Sequence, residues 1–536
     1  MNIAFERNKT AASFGITLIL LLLILIYLKP LLNTWDDAFI MYSFSGGFGV
    51  PSTELVDYSW GWHFLLGLTV KNLFIFIPYI NWYSVILLFI HWLSSSLILI
   101  FFLNTFRLPN ALLCFAIFFL VFETTLLLSL NFTSTSIISA IAANVILIEK
   151  INHKKFKKAA LIIPFALLVV SGLLRFHAWA LIELIFGLFI FFLPREKAVI
   201  YIAFKSGLLG LIVLLFVYHQ SYYKQHVPEW EQKENVSQVL YSYYNAPRMG
   251  KQYREVFRDS IEWDFFYNNF YYDTLILSNQ RLKEITGGLT RVRNFSSVDK
   301  ETVYWIFING RLYFFILALP LSVLIAKRKW YLIRKIFPFL FGSLILYCYL
   351  FFFKKITEPI FMGFLISNWF VVFLFLTREE IVFSRLSRIM SVPLIIICFL
   401  WAVIRVSKIN SGNIEKYGDW ICYYEDLNRN ASKIHVATNP ENPIDYFSII
   451  DNPIDFTIRN FISVSQFNAT VYEAKKQEFG LKKITEDLIN RPNIVLIGSG
   501  IPSLKTYYLK KYNRDVEIVT DTVHYNCANV YQIVSR

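Results

Sequence analysis

Charged residues are scarce in this sequence. Asp, Glu, Lys and Arg make up 17% of its 536 residues, whereas soluble proteins of this length normally carry about 25%. Hydrophobic residues make up 56%, and the mean hydropathy is +0.48. Long runs contain no charged residue at all, as in transmembrane helices. This composition excludes an ordinary soluble globular protein and predicts a polytopic membrane protein.

Cysteine is also rare, with five residues in the chain. Three of them lie inside apolar runs, where a cysteine behaves as a small buried hydrophobe. Cys422 and Cys527 lie in the C-terminal tail and could pair there if the tail faces an oxidising compartment. No C-x-x-C motif and no His/Cys spacing indicates zinc.

The apolar runs predict about eleven membrane spans: 13–28, 83–103, 109–123, 133–148, 159–174, 178–193, 198–217, 311–326, 337–353, 359–376 and 390–407. The first run is followed by no small-residue cleavage site, so we interpret it as a retained helix and not as a signal peptide. Residues 60–79 carry His63, Lys71, Asn72 and Pro78, and we interpret them as a helix on the outer membrane surface.

The net charge of +14 is explained by membrane orientation and does not indicate a nucleic-acid partner. Basic residues concentrate in alternate connecting segments, which the positive-inside rule assigns to the cytoplasm: Arg7, Lys9, Arg107, Lys150 to Lys158, Arg195, Lys197, Lys327 to Lys335, Arg378, Arg385 and Arg388. The N-terminus is then cytoplasmic and the C-terminal region extracytoplasmic. The predicted location is a cell membrane, most typically a bacterial inner membrane.

The predicted fold is an all-α polytopic membrane bundle with a small C-terminal α/β extracytoplasmic domain. Residues 1–407 form the membrane module, with outer loops at 29–82 and 218–302, and residues 408–536 form the outer domain. In that domain the runs KIHVAT, NIVLIGSG, VEIVT and NVYQIVS predict strands, and TVYEAKKQEFGLKKITEDLIN predicts helix. We interpret GSGIPS, residues 498–503, as a strand-to-helix turn.

The first outer loop is the most distinctive stretch, NTWDDAFIMYSFSGGFGVPSTELVDYSWGWH at residues 33–63. It places the adjacent carboxylates Asp36 and Asp37 close to the end of the first apolar run, where acids are costly unless they have partners or a function. Further acids follow at Glu54 and Asp57, after glycines and a proline that allow the chain to fold back. The rings of Tyr42, Tyr58, Trp60 and Trp62 suit a membrane interface or a sugar face.

Three other positions are candidates for a site, each with a plainer alternative. Glu123 is a lone acid at a predicted helix end, where it could simply be a solvated or capping carboxylate. Arg175 and His177 lie in LLRFHAW between two apolar runs with almost no loop, so an anionic partner such as phosphate is expected, or snorkelling to lipid headgroups. Lys354 and Lys355 mark another outer corner, where they could meet phosphate or remain solvated.

The strings WDDAFIMYSFSGGFGV and VDYSWGWHFLLGL resemble the first outer loop of polytopic GT-C type glycosyltransferases. The branch that they resemble most is the bacterial arabinofuranosyltransferase-like one, in which a DDAFI-like string is followed by a Gly-rich segment, a Tyr-Ser or Tyr-Thr pair and an aromatic surface helix. LLRFHAW resembles an Arg-Pro-acid-Gly corner of that branch, with Phe176 and His177 in place of its proline and acid.

This resemblance implies transfer of a sugar from a polyprenyl-phosphate donor to a glycan, lipid or protein acceptor. Asp36 or Asp37 would be the general base, because the attacking hydroxyl must lose a proton. Apart from the resemblance, the positions of Glu54, Asp57, Tyr58, Glu123 and His177 make them the predicted substrate contacts. Arg175, helped by Lys354 or Lys355, would bind the lipid phosphate. No cofactor is certain, although paired acids could bind a divalent metal.

Two other functions stay open from the sequence. One is a polymerase or ligase for lipid-linked oligosaccharides, which should need arginine-rich outer loops. The other is a flippase or transporter of lipid-linked sugars, which should show broken helices, repeats and acids near mid-membrane.

Overall fold

The structure, a computed structural model, describes residues 2–32, 35–56, 61–152, 158–227, 235, 256–267, 277–291, 330–353, 357–376, 385–437, 443–463, 469–498, 503–521 and 523–535.

Helices dominate the described chain. In chain order they are α1 Asn2–Tyr27, α2 Trp35–Ser45, α3 Phe64–Phe76, α4 Trp82–Thr105, α5 Leu108–Phe118, α6 Thr124–Leu128, α7 Phe132–Asn152, α8 Ile162–Leu174, α9 Phe176–Gly187, α10 Arg195–His226, α11 Ser260–Tyr267, α12 Asn279–Arg291, α13 Trp330–Phe353, α14 Glu358–Leu376, α15 Arg385–Arg429, α16 Ala469–Glu478, α17 Ile484–Asn490 and α18 Leu504–Tyr512. The strands are β1 Leu31–Leu32, β2 Ser129–Leu130, β3 Ile434–Ala437, β4 Phe461–Ser463, β5 Ile494–Ile497, β6 Val516–Thr520 and β7 Val530–Ser535.

Seven helices of the described chain are long and apolar enough to cross a membrane: Asn8–Tyr27, Trp82–Thr105, Leu108–Leu128, Phe132–Asn152, Arg195–His226, Glu358–Phe375 and Ile395–Arg429. Each overlaps a span predicted from the sequence, so the chain is an integral membrane protein. The predicted spans 159–174 and 178–193 are the shorter apolar helices Ala159–Leu174 and Phe176–Phe192. The predicted span 337–353 lies within α13, and 311–326 lies outside the described residues.

The chain divides into two compact units. Unit 1 comprises Met1–Pro30, Ser84–Val217 and Val298–Gly412, and unit 2 comprises Leu31–Tyr83, Tyr218–Ser297 and Asn413–Arg536. Unit 1 has one large apolar core, in which α7 is buried over almost its whole length. Small residues let helices approach closely there. Ser136 and Ser171 exchange hydrogen bonds between α7 and α8, and a Cβ on Gly363 would come within 2.7 Å of Ile137.

Unit 2 contains a five-stranded sheet with the order β4-β3-β5-β7-β6. Strands β4, β3 and β5 are parallel, with His435 opposite both Phe461 and Val495. Strands β7 and β6 add antiparallel to β5. Helices α11, α16, α17 and α18 supply or flank the apolar core that covers this sheet. The predicted small α/β domain at the C-terminus is therefore confirmed.

The strands β3, β5, β6 and β7 lie where the apolar runs predict them, because each run is short and rich in β-branched residues. The predicted helical stretch 470–490 forms two helices, because Gly480 adopts a φ of +60° between α16 and α17. Strand β4 is too short to give a pattern and was not predicted. In GSGIPS only Gly498 and Ser503 are described.

Helix α3 has 13 residues, or about 20 Å at 1.5 Å per residue, which is too short to span a bilayer core of about 30 Å. The helix predicted at residues 60–79 is present as Phe64–Phe76, and its location on the outer membrane surface stays a prediction. In the loop at 218–302, the described residues include the end of α10 and the short helices α11 and α12.

A disulfide joins Cys422 on α15 to Cys527 in the turn before β7, with Cα atoms 5.9 Å apart. Asp426, one turn along α15 and fully buried, accepts hydrogen bonds from the backbone N–H groups of Asn526, Cys527 and Ala528 through one oxygen. The turn is thus held to the helix both covalently and by a charge-assisted cluster of hydrogen bonds.

Candidate functional site

The first turn of α2 carries Asp36 and Asp37. Negative charge at a helix N-terminus is stabilised by the unpaired backbone N–H groups there, so two acids are well placed to start this helix. The helix ends at Ser45, and the chain then turns back at Gly46 and Gly49, both at a φ of +76°. A Cβ on Gly47 would lie 2.3 Å from the Tyr42 ring, so this turn requires glycine.

The two aspartates have different surroundings. Asp37 is 0% exposed, and its Oδ1 accepts a hydrogen bond of 2.5 Å from the Tyr83 hydroxyl. Asp36 is half-buried. Adjacent residues of a helix do not face each other, so Asp37 points into the protein while Asp36 keeps part of its surface accessible.

The aromatic residues of the first loop are mostly core residues. Tyr42 and Trp62 are both 0% exposed. Trp62 stacks on Tyr83 with ring centroids 4.9 Å apart, and Phe44 lies 5.7 Å from Trp62. The expectation that Tyr42 and Trp62 offer a face to a sugar is therefore wrong, because packing covers both rings. Tyr58 and Trp60 lie outside the described residues.

Tyr42 joins α2 to the C-terminal part of unit 2. Its hydroxyl donates a 2.9 Å hydrogen bond to the carbonyl of Phe456. Burial, followed by the charges of Tyr424 and Asp451, raises the pKa of Tyr42 well above its ordinary value of 10.0. The hydroxyl therefore remains a donor at every physiological pH and acts as a structural tie.

Further contacts within unit 2 link the first loop to residues 447–459. The backbone N–H of Leu32 donates to the carbonyl of Phe447, and that of Ile458 donates to the carbonyl of Gly47. The side-chain amide of Asn81 donates to the carbonyl of Asp451. Leu31 and Ser448 form an isolated antiparallel bridge. Sequence reasoning treated these two regions separately, because they are some 400 residues apart and no local pattern connects them.

Glu54 is held by two partners. Its carboxylate lies 2.6 Å from the Lys71 ammonium on α3 and accepts a 3.0 Å hydrogen bond from the Tyr222 hydroxyl on α10. Burial alone would raise the pKa of Glu54, but these hydrogen bonds and the charge of Lys71 lower it below 4.5. Glu54 therefore ties the loop to two helices. Asp57 lies outside the described residues.

Glu123 is fully buried in unit 1. It ends a π-helical turn, Phe119–Glu123, and the helix continues through α6 to Leu128, so the predicted end of the span at residue 123 is too early. Its Oε1 lies 2.8 Å from Nδ1 of His91, whose Nε2 lies 3.1 Å from the hydroxyl of Thr135. Within the part of the chain that the structure describes, Glu123 Oε2 has no hydrogen-bond partner.

His91 was missed by sequence reasoning. Its only signal is that it is a histidine in the middle of the apolar run 83–103, and that signal favours neither a core histidine nor a site. A second cluster of ionisable residues in unit 1 joins Lys205 to Glu183 at 2.5 Å and to the Asn144 side chain at 2.5 Å. Ionisable residues at such positions are costly in hydrocarbon and are paired here.

Arg175 separates α8 from α9. Its φ of −156° and ψ of 94° are extended, so it both ends α8 and begins α9. Its guanidinium lies 5.4 Å from the centroid of the Phe132 ring, and its side chain is half-buried. His177, two residues later, is exposed. Lys354 and Lys355 lie outside the described residues.

Among the described residues, the one group of three potential metal ligands is Cys422, Asp426 and Cys527. The two sulfurs are bonded to each other, so this group does not fit a metal ion in the disulfide form.

The structure defines the class of the protein: an integral membrane protein made of a helical bundle with a small C-terminal α/β domain. No protein-family model and no curated protein matches the chain. The chain is similar to one solved structure, the crystal structure of ArnT from Cupriavidus metallidurans bound to undecaprenyl phosphate. The alignment covers 99% of this chain and 97% of the ArnT chain. The TM-score is 0.39 and the sequence identity 10%. A likeness this distant assigns neither an activity nor a family.

Proposed function

We propose that this protein is a membrane glycosyltransferase of the GT-C type, which moves a sugar from a polyprenyl-phosphate donor to a glycan, lipid or protein acceptor on the outer face of the membrane. The observation that carries the proposal is the pair Asp36 and Asp37 in the first turn of α2. Asp36 is half-buried, Asp37 is fully buried and accepts a hydrogen bond from Tyr83, and both follow the first apolar span directly in the sequence.

An accessible carboxylate next to a membrane surface can act as a general base. The acceptor hydroxyl attacks the anomeric carbon and must lose its proton to a group within hydrogen-bond reach. The bond from the anomeric carbon to the lipid phosphate breaks, and the phosphate leaves with its negative charge. That charge needs a cation at membrane depth.

Arg175 is the cation that we assign to the lipid phosphate. It lies at a junction between two apolar helices, and guanidinium binds phosphate in a bidentate way. Lys354 and Lys355 are assigned a supporting role at the phosphate because of their positions in the sequence. On the same ground, His177, Asp57 and Tyr58 are assigned contacts with the substrate. Glu54 and Glu123 already have protein partners, so their proposed role is to shape the loop and the helical unit around substrate.

The proposal includes an orientation. The N-terminus is cytoplasmic, and the first loop and residues 408–536 face the outside of a cell membrane, most typically a bacterial inner membrane.

A transporter of lipid-linked sugars is the second candidate, and one observation favours it. Unit 1 contains two clusters of ionisable residues: His91 with Glu123, which is fully buried, and Glu183 with Lys205, which is partly buried. Such clusters mark proton and ion pathways in transporters.

The deciding experiment is transfer of radiolabel from a panel of polyprenyl-phosphate sugars by the purified protein in detergent. Wild type is compared with Asp36→Asn, Asp37→Asn and Arg175→Ala. Arg429→Ala is the matched control, because Arg429 is an exposed arginine that pairs only with its helix neighbour Glu425 among the contacts observed for it. The proposal is supported if wild type and Arg429→Ala both transfer one sugar and if Asp36→Asn or Asp37→Asn does not.

If wild type transfers no sugar but moves a lipid-linked sugar across liposome membranes, the protein is a transporter and the transferase proposal is overturned. If both aspartate variants transfer sugar at the wild-type rate, the first loop does not take part in the reaction.

A further inference from the structure

The two aspartates of α2 are not equivalent. Asp37 is fully buried, whereas Asp36 keeps part of its surface accessible. A base must reach the acceptor hydroxyl to within about 3 Å, and a carboxylate that is enclosed by protein and already accepts a short hydrogen bond cannot do so without rearrangement. Asp36 is the residue of the pair that meets this requirement.

Tyr83 is rigidly held at the position from which it reaches Asp37. Its ring is 0% exposed and stacks on Trp62, which is also fully buried, with an interplanar angle of 29°. Phe44, from the same helix as the aspartates, packs 6.5 Å from the Tyr83 ring. The hydroxyl can therefore not swing away, and it fixes the carboxylate that it touches.

The hydrogen bond joins two elements that are distant in the sequence. Tyr83 is the second residue of α4, and Asp37 is in the first turn of α2. A hydroxyl that donates to a carboxylate in dry surroundings makes one of the stronger hydrogen bonds in proteins. Because Asp36 and Asp37 share one turn of helix, fixing Asp37 also fixes the backbone from which the Asp36 side chain projects.

We propose that Tyr83 is a positioning residue, which clamps Asp37 so that the first turn of α2 presents Asp36 to the acceptor as the general base. The inference rests on the proposed glycosyl transfer and divides the roles of the two aspartates. Asp36 takes the proton as the acceptor oxygen bonds to the anomeric carbon. The electron pair of the broken bond leaves with the lipid phosphate. Asp37 and Tyr83 exchange no proton with substrate.

The test is Tyr83→Phe, which removes the hydroxyl and keeps the stacked ring. Displacement of a catalytic group by about 1 Å costs on the order of 100-fold in rate, so kcat should fall about 10- to 100-fold. The KM for the lipid donor should stay within about twofold, since the lost interaction serves the chemical step and not donor binding.

The matched control is Tyr42→Phe. Tyr42 is also a fully buried tyrosine packed in the first loop, but its hydroxyl donates to a backbone carbonyl. If the Tyr83 hydroxyl were merely structural, both variants would lower the thermal midpoint, and their kcat values would be the same. We expect a large loss of kcat in Tyr83→Phe only.

Asp37→Asn provides a second route if Tyr83→Phe fails to fold. The amide oxygen still accepts from Tyr83, so this variant should retain part of the wild-type kcat, whereas Asp36→Asn should have none. An inactive Asp37→Asn together with an active Asp36→Asn would overturn the assignment of the base.

The outcomes separate this inference from the proposed function. Suppose that wild type transfers sugar and Asp36→Asn does not, but Tyr83→Phe has the same kcat as Tyr42→Phe. The positioning role of Tyr83 is then overturned, and the glycosyltransferase proposal is kept. If wild type transfers no sugar from any donor, both fall together.

Discussion

The carboxylate of Glu123 and the imidazole of His91 lie 2.8 Å apart, and both side chains are enclosed within the helical unit. A pair of this kind is expensive to break, because removal of one partner leaves the other buried without compensation. His91→Ala leaves the Glu123 carboxyl buried without this hydrogen-bond partner and should lower the free energy of unfolding by about 1 to 3 kcal/mol. Thermal unfolding in detergent measures this loss.

The double variant His91→Phe with Glu123→Leu is the control for that prediction. It replaces both members by apolar groups of similar volume, which is often neutral for a buried pair. Its thermal midpoint should therefore exceed that of His91→Ala. A double variant no more stable than the single one would show that the pair has further partners.

The Glu54–Lys71 contact should stabilise the protein only above moderately acidic pH. The pKa of Glu54 is lowered in the folded state from 4.5, so the unfolded state binds the proton more readily. The stabilisation is therefore fully present above about pH 4.5 and is lost as the pH falls through the lower, folded value. The difference in thermal midpoint between wild type and Glu54→Gln should be present at pH 7 and should shrink below pH 4.5. A constant difference across this range would contradict the ion pair.

His435 should give a second, distinct pH dependence. It is fully buried between Asn460 and the hydroxyl of Tyr525, and burial lowers its pKa from 6.5 to about 4. The unfolded state thus gains a proton first as the pH falls, so stability decreases from pH 6.5 to about pH 4. The loss is on the order of 3 kcal/mol, since each pH unit in that window is worth about 1.4 kcal/mol. Thermal midpoints of wild type and His435→Gln should converge as the pH is lowered from 7 to 4, and parallel curves would refute the assignment.

Reduction of the Cys422–Cys527 disulfide should destabilise unit 2. The bond closes a loop of 105 residues, and loss of such a native bridge costs about 2 to 5 kcal/mol. A reducing agent should lower the thermal midpoint of wild type and leave that of Cys422→Ser with Cys527→Ser unchanged. Asp426 still holds the turn by three hydrogen bonds, so we expect the reduced protein to stay folded at room temperature.

The proposed orientation predicts which surfaces can be labelled from outside. Val523 is 85% exposed in unit 2, and Arg107 lies exposed between α4 and α5. A membrane-impermeant maleimide should label Val523→Cys in intact cells and Arg107→Cys only after permeabilisation. The reverse pattern would invert the topology and place the first loop in the cytoplasm.

Much of the fold can be read from the sequence, because membrane insertion and short buried strands leave local patterns. The long apolar runs indicate the membrane helices, since hydrocarbon tolerates few charges over about 20 residues. The runs that become β3, β5, β6 and β7 are also visible. The sequence likewise points to Asp36, Asp37 and Arg175 as residues that require an explanation at a membrane surface.

Only the tertiary structure decided which side chains meet and which are buried. Asp36 and Asp37 are adjacent and chemically identical, yet one is enclosed and held by Tyr83, 46 positions away. His91 with Glu123, Glu54 with Tyr222, and Tyr42 with Phe456 are likewise contacts between distant parts of the chain. Local sequence fixes the periodicity and the polarity of a segment. The partner of each polar group depends on packing between elements, and that packing gave the two aspartates their different surroundings.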